Sequence, residues 1–155
     1  MVRRSNESRR QAIRALARMA RQLERSSGGL NLAHYRVLAA VADGDERASR
    51  VADRLALGKP TVSAAVESLT KRGLLSREDA ADDGRATTLA LTPSGRLALA
   101  TVEEEMLDRL DDLCSRTADP DAVIAALAQL GEALDEVADE RLAARKAGRA
   151  AGKQS

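Results

Sequence analysis

Residues 47–85 read RASRVADRLALGKPTVSAAVESLTKRGLLSREDAADDGR. This stretch holds two short helical patterns separated by a break at Gly58-Lys59-Pro60, and a basic hairpin follows them. A helix, a turn, a second helix and a β-ribbon in this order form a structure that can hold a helix in the major groove of DNA. We therefore predict that residues 47–85 are the centre of a DNA-binding lobe.

The second helix of this stretch begins with Pro60 in its first turn and ends before Gly73, which is a typical C-terminal stop. Its buried stripe is predicted to be Val62, Val66 and Leu69. The opposite face then presents hydroxyl, methyl and charged groups that can meet phosphates or base edges, and the alternative is an ordinary solvated helix face. The side chains on that face or at its edge are Thr61, Ser63, Ala64, Glu67, Ser68 and Lys71.

The residues before the second helix of the lobe predict three helices. Apolar residues recur at helical spacing over residues 7–25, after a loose basic arm. Asn31 begins the next helix, and Asp43-Gly44-Asp45 ends it. Ser49 is the expected N-cap of a short helix that runs through Leu55.

After the second helix of the lobe, two strands are predicted over residues 74–78 and 86–91, with Asp82-Asp83-Gly84 as the turn between them. Thr92-Pro93 starts a helix that ends near Thr117, and Asp119-Pro120 starts the last one. Both helices carry a heptad-like apolar seam and further apolar residues outside it, which indicates a partner chain. The off-seam residues are Leu107, Ile124 and Leu142.

Composition bounds the function. The 155-residue chain has a formal net charge of +1, which argues weakly against a nucleic-acid partner, but its arginines cluster in the first 25 residues while residues 103–140 are acidic. The single cysteine excludes an intrachain disulfide framework. With no apolar run of membrane-spanning length and no apolar signal core, we expect a cytoplasmic protein, associated with the nucleoid when bound to DNA.

The sequence resembles the multiple antibiotic resistance regulator (MarR) family of bacterial winged-helix transcription factors. The resemblance is close from Asn31 to Arg96 and extends to the flanking helices by their order and length. Each motif alone is weak, but all occur in order and at the right separations. The motifs are Leu32-Ala33-His34-Tyr35-Arg36-Val37-Leu38, Ser49-Arg50-Val51-Ala52-Asp53-Arg54-Leu55, Lys59-Pro60-Thr61-Val62-Ser63, Leu69-Thr70-Lys71-Arg72-Gly73-Leu74-Leu75, Asp83-Gly84-Arg85 and Leu91-Thr92-Pro93-Ser94-Gly95-Arg96.

The resemblance implies a mainly α fold with a small β-wing, in which a winged helix-turn-helix lobe joins a helical dimerisation region. We divide the single domain, residues 1–155, into the lobe at 31–92, the dimerisation region at 7–30 and 93–146, and a frayed basic tail at 147–155. Family members are homodimers and mostly repressors that bind pseudo-palindromic operators. Many of them release DNA when a small, often phenolic or anionic, ligand binds.

The resemblance also implies further DNA contacts. Arg85 would reach the minor groove, steadied by Asp83, although an exposed ion pair between the two is the alternative. Arg77 lies on the first wing strand. Ala64 stands where many relatives have an arginine, so a guanine contact is missing. The predicted phosphate-binding or register-setting residues are Lys59, Lys71 and Arg72, and Pro60 belongs to the same surface.

An effector cleft would lie among the first, second and fifth helices in this family. The candidates are Arg14, Arg18, Met19, His34 and Tyr35, because an arginine near a cleft suits a carboxylate or phenolate. The alternative is that Tyr35 packs in the core, His34 is a surface or capping group, and the arginines pair with acidic residues. Those acidic residues would be Glu132, Asp135, Glu136 or Asp139.

The remaining chemistry is sparse. Cys114 is predicted to be a buried small apolar residue and not a redox sensor. One histidine and one cysteine far apart do not make a metal site, and we predict no metal, no cofactor and no catalytic residues. The sequence therefore predicts a DNA-binding transcriptional regulator and not an enzyme. The alternative is a winged-helix protein-interaction module that binds no operator.

Overall fold

The computed structural model describes residues 2–25, 29–44, 47–79 and 87–151. These residues form six helices and one two-stranded sheet, so the mainly α fold with a small β-wing is confirmed. In chain order the elements are α1 (Val2–Arg25), α2 (Leu32–Ala42), α3 (Ala48–Arg54), α4 (Lys59–Lys71), β1 (Leu75–Asp79), β2 (Thr87–Leu91), α5 (Pro93–Cys114) and α6 (Pro120–Ala151).

The hydrophobic core lies inside the lobe. The largest fully buried side chains come from α2, α3, α4 and β1, and they include Val37, Leu38, Val51 and Leu75. The predicted stripe of α4 is confirmed, since Val62, Val66 and Leu69 are only 0–2% exposed. Helix α5 closes this core with Leu99, Val102 and Met106. Aliphatic side chains dominate because the chain has no Phe or Trp.

Local capping places the ends of several helices as predicted. Asn31 caps α2, because its side-chain Oδ1 accepts the backbone N–H of His34 at 2.8 Å. Thr92 caps α5 through a bond from the Gly95 N–H at 2.9 Å, and the Asp119 carboxylate accepts the Ala122 N–H at 3.0 Å before α6. After α4, Gly73 adopts a φ of 70°, the left-handed conformation that glycine favours at this position.

Other predicted boundaries are wrong. Helix α1 begins at Val2 and not near residue 7, and α3 has Arg47 at its N-cap while Ser49 lies inside the helix. Helix α5 ends at Cys114, before Thr117. The last helix continues to Ala151, within the range 147–155 that is predicted to be a frayed tail. Helical periodicity places the middle of a helix better than its ends, which depend on individual capping contacts.

The wing is an antiparallel hairpin whose register pairs Leu75 with Leu91 and Arg77 with Leu89. Its first strand starts one residue later than predicted. Leu75 and Leu89 are 2% and 4% exposed, so the base of the hairpin belongs to the core, whereas Arg77 is exposed. The core therefore sets the direction in which the wing leaves the lobe.

Close packing joins the lobe to α5 at one corner. The Thr92 hydroxyl donates to the Gly73 carbonyl at 2.7 Å, and the Thr92 N–H donates to the Leu74 carbonyl at 3.2 Å. Gly95 is buried against that same Leu74 carbonyl. The C-terminal end of α4 and the N-terminal turn of α5 are thus joined by hydrogen bonds to backbone carbonyls. A shift of α5 would therefore displace the end of α4.

Candidate nucleic-acid interface

The turn between α3 and α4 reverses the chain through a strained residue. Ala56 has a φ of 51°, a left-handed conformation that costs alanine roughly 1–2 kcal/mol. The Leu57 N–H donates to the Ala52 carbonyl at 3.2 Å and so closes the turn. The sequence predicts the break at Gly58-Lys59-Pro60, but Gly58 has an ordinary φ of −62° and caps α4, with Pro60 in its first turn.

Helix α4 presents the predicted polar face. Thr61, Ser63, Ala64, Glu67 and Lys71 are exposed, as are Lys59 and Pro60 in the first turn, and Ser68 is half-buried at the edge. Because the other side of α4 is locked in the core, this face has a fixed direction. It is the polar surface that α4 presents to solvent.

Two of the predicted contact residues of α4 pair with each other. The Lys71 Nζ lies 2.7 Å from the Glu67 Oε1, one helical turn away. This hydrogen bond and the charge of Lys71 lower the pKa of Glu67, and the charge of Arg77 on β1 contributes further. Glu67 is therefore an anion at neutral pH. A nucleobase or phosphate that approaches this turn must either bond to Glu67 or Lys71 while their ion pair remains, or break that ion pair.

The positive groups around α4 have different surroundings. Arg77 is exposed on the wing strand, close enough to influence Glu67. Arg72, predicted to bind phosphate, donates through Nη1 to the Gly29 carbonyl at 3.3 Å and lies close to His34. Asp83 and Arg85 lie outside the described residues. The structure thus brings Lys71 and Arg77 near Glu67, leaves Lys59 exposed in the first turn of α4, and directs Arg72 towards the loop before α2.

An ion-pair network that the sequence does not predict connects the lobe to α6. The Arg54 Nη2 lies 3.4 Å from the Asp43 Oδ2 and 3.9 Å from the Asp135 Oδ1. The sequence offers Asp135 as a partner for the arginines of α1 instead. Nothing in the spacing of the sequence shows that α6 packs against α3, so this pairing can be found only in the folded chain.

A cavity of about 320 Å³ opens between α1, α2 and α5. Of the five predicted ligand residues, only Tyr35 lines it; Met19 and His34 are half-buried elsewhere, and Arg14 and Arg18 are exposed on α1. The other lining residues are not predicted from the sequence, because they become neighbours only when α5 crosses α2. They are Leu23, Leu32, Glu103, Met106, Leu107 and Leu110.

The two titratable candidates have perturbed environments. Burial, followed by the charge of Arg72, lowers the pKa of His34, whose Nδ1 is buried without a hydrogen-bond partner among the described residues. Burial raises the pKa of Tyr35, and the charges of Glu103 and Asp43 raise it further. Both side chains are therefore neutral at pH 7. Tyr35 also packs against the core, as the alternative interpretation expects.

Other kinds of site have little support in the described part of the chain. Cys114 is 2% exposed, which confirms that it is buried. The described residues contain no group of three or more histidine, cysteine or carboxylate side chains placed to hold a metal. Among the described helices, none is both long and apolar enough to cross a membrane.

The comparisons with known proteins agree with this geometry. A repressor named CouR, solved bound to a 23-mer DNA duplex, is 26% identical, with 79% of this chain and 88% of that chain aligned at a TM-score of 0.68. A MarR-family regulator from Silicibacter pomeroyi is 27% identical, with 80% and 85% aligned at a TM-score of 0.62. CouR from Rhodococcus jostii RHA1, solved with p-coumaroyl-CoA, is 22% identical, with 80% and 89% aligned at a TM-score of 0.62.

A search of curated proteins found no match to this chain. The sequence profile described as "MarR family" matches residues 28–86, which include α2, α3, α4 and β1. The profile therefore covers the helix-turn-helix and the first strand of the wing. This match and the structural likeness together support a winged-helix regulator of the MarR family.

Proposed function

We propose that the protein is a homodimeric transcriptional repressor that binds a pseudo-palindromic operator. The proposal rests mainly on the position of α4 in the lobe. Helix α4 is anchored by side chains that are 0–2% exposed, while its opposite face is polar, exposed and flanked by Arg77 of the wing. A rigidly anchored helix with a polar outer face is what insertion into a major groove requires.

The homodimer is supported by apolar surface that a single chain leaves uncovered. Helices α1, α5 and α6 carry large apolar side chains that are 38–70% exposed, and two of them, Leu107 and Ile124, are off-seam residues from which the sequence predicts a partner chain. Large apolar side chains that are exposed in this number support an interface with a partner chain. The residues are Ile13, Leu16, Leu107, Ile124, Leu130, Leu134 and Val137. Two copies paired there would present two α4 helices about one turn of DNA apart, ~34 Å.

Individual roles follow from the exposed groups. Thr61, Ser63 and Glu67 are placed to contact base edges or phosphate, and Lys59, Lys71 and Arg77 to bind phosphate. Ala64 offers a methyl contact and no guanine-binding group. The roles of Asp83 and Arg85 in the minor groove rest on the resemblance alone. We assign Arg72 a positioning role, because its hydrogen bond to Gly29 ties the end of α4 to the loop before α2.

We further propose that a small molecule regulates DNA binding from the cavity between α1, α2 and α5. A structural neighbour was solved with a bound small molecule, and here α5 contributes both to the cavity and to the corner beside α4. A ligand that favours one position of α5 would change the separation of the two lobes. In this proposal the protein acts in the cytoplasm, on the nucleoid, and catalyses no reaction.

Fluorescence anisotropy tests operator binding directly. The intact protein is titrated into labelled duplexes that tile the DNA next to its own gene, at several salt concentrations. We expect sub-micromolar binding to a palindromic fragment, and binding that weakens steeply as salt rises. Arg77→Ala should reduce the salt slope by about 1 for each protomer in contact. The matched control is Arg116→Ala, which removes an equal charge just after the C-terminal end of α5.

The alternative is a protein-interaction module. If no fragment binds more tightly than random DNA and the chain is still folded and dimeric by light scattering, operator binding is excluded and the alternative is favoured. If a fragment binds but expression of a reporter gene under that promoter falls when the protein is removed, the protein activates transcription and does not repress it. Equal salt slopes for Arg77→Ala and Arg116→Ala would show that Arg77 does not contact DNA.

A further inference from the structure

The cavity between α1, α2 and α5 is lined by one acidic side chain and, among the described residues, by no basic one, which is unusual for an anion-binding site. Its volume of about 320 Å³ is at the lower end of the range for small-molecule pockets. Five apolar side chains line it, from three helices, and the two polar groups are Tyr35 and Glu103. No basic side chain is among the described residues that line it. The apolar lining residues are Leu23, Leu32, Met106, Leu107 and Leu110.

Glu103 supplies the formal charge of this wall. It is half-buried, and it forms no ion pair with any residue in the described ranges. A carboxylate beside apolar side chains is poorly screened by water, so its field acts strongly on whatever occupies the cavity. Burial is the main cause of the raised pKa of Tyr35, and the negative charge of nearby Glu103 raises it further.

The charge of a ligand therefore decides whether this cavity can hold it. An anionic group, as the resemblance suggests, would meet the Glu103 carboxylate, while Arg14 and Arg18 are exposed on α1 and do not line the cavity. A cationic group would form a charge-assisted hydrogen bond or ion pair with Glu103. It would also meet the ring of Tyr35, whose face attracts cations.

We propose that this cavity selects a small organic cation: a protonated amine held by Glu103 beside Tyr35, with an apolar body packed against the leucines and Met106. The assignment rests on the proposed effector role of the cavity but concerns only which ligands bind. The volume suits one aromatic ring with a short aliphatic arm. Ligand charge is thus the main determinant of specificity.

Three probes with the same aromatic body separate charge from shape. Phenethylamine, phenethyl alcohol and phenylacetate are each titrated into the full-length protein by calorimetry. We expect the amine to bind at least tenfold more tightly than the alcohol, and the carboxylate to bind more weakly than either. The affinity of the amine should fall as salt rises, whereas that of the alcohol should not. Tightest binding by phenylacetate, or no binding by any probe, would overturn the proposal.

Substitution locates the charge. Glu103→Gln keeps the size of the side chain and should reduce amine affinity about tenfold while leaving the alcohol unchanged. The matched control, Glu104→Gln, changes the next residue of α5, which is exposed and does not line the cavity, so amine affinity should not change. Equal effects of the two variants would overturn the proposal. If Glu103→Gln does not fold by circular dichroism, the salt dependence in the unmodified protein decides.

The effector role is tested separately from the ligand class. Anisotropy of the operator complex is measured with saturating phenethylamine. If the amine binds through Glu103 and leaves the DNA complex unchanged, the ligand class is supported and the proposed effector role fails. If the amine does not bind but another compound releases DNA from the unmodified protein, the ligand class is wrong and the effector role survives.

Discussion

Replacing Gly95 with alanine should weaken the fold at the corner where the lobe meets α5. A Cβ built on Gly95 would lie 2.9 Å from the carbonyl carbon of Leu74 and 3.3 Å from the Cδ2 of Leu91. It would lie closer still to the Leu74 oxygen. That oxygen accepts the Thr92 N–H at 3.2 Å, so the backbone cannot move aside without stretching this bond.

The size of the effect follows from three contributions. Overpacking against backbone costs about 1–3 kcal/mol. Loss of one neighbouring hydrogen bond adds about 1 kcal/mol. Alanine's higher helix propensity offsets this by up to about 1 kcal/mol. We therefore expect a net loss of about 2 kcal/mol in the free energy of unfolding, equivalent to a fall of roughly 4–8 °C in Tm for a chain of this size.

Urea unfolding followed by far-ultraviolet circular dichroism measures this loss. The chain has no Trp, so intrinsic fluorescence is a poor probe, and protein concentration must be held constant because dimerisation contributes to stability. The control is Ser94→Ala, an exposed position in the same helical turn, which should stay within about 0.5 kcal/mol of the unmodified protein. A Gly95→Ala variant as stable as this control would refute the close packing described above.

Three further substitutions test other local features. Thr92→Val should cost about 1–2 kcal/mol because the cap of α5 and the bond to Gly73 are lost, whereas Thr92→Ser should retain most of that stability; equal losses would contradict a role for the hydroxyl. Ala56→Gly should raise the free energy of unfolding by about 0.5–1 kcal/mol, because glycine adopts the left-handed backbone conformation without strain. The control Ala64→Gly, on an exposed helix face, should lower the free energy of unfolding by about 1 kcal/mol. The pKa of His34 in the folded chain is below its ordinary value of 6.5. The unfolded chain therefore binds more protons, and the free energy of unfolding falls as the pH drops through 6.5. His34→Gln should flatten this fall between about pH 7 and 5, and an unchanged slope would exclude His34 as its source.

The polar outer face of α4 can be predicted from the sequence because it depends on local periodicity. Residues three and four apart share one side of a helix, so the spacing alone assigns Val62, Val66 and Leu69 to the core and leaves Thr61 and Glu67 on the surface, where they lie in the folded chain. The ion pair of Glu67 with Lys71 follows from the same spacing, although it is not among the predicted contacts. The ends of α1, α3 and α5 are misplaced because single capping contacts decide them.

The lining of the cavity between α1, α2 and α5 cannot be predicted in the same way. Arg14 and Arg18 are candidates because they lie on the right helix and have the right chemistry, but the rotation of α1 about its axis leaves them exposed. Glu103, from a segment that the sequence marks only as acidic, lines the cavity instead. The rotation of one helix against another is set by packing over the whole interface, and no short sequence pattern records it.

The sequence by itself determined which segments are helices, which side of α4 is buried, and the caps at Asn31 and Thr92, since these depend on neighbours a few residues away. Only the tertiary structure decided that Arg72 bonds to Gly29, that Arg54 reaches Asp135 of α6, and that Glu103 faces the cavity. Each of these contacts joins residues far apart in the chain. Their distances depend on how whole helices pack, which is a property of the complete core.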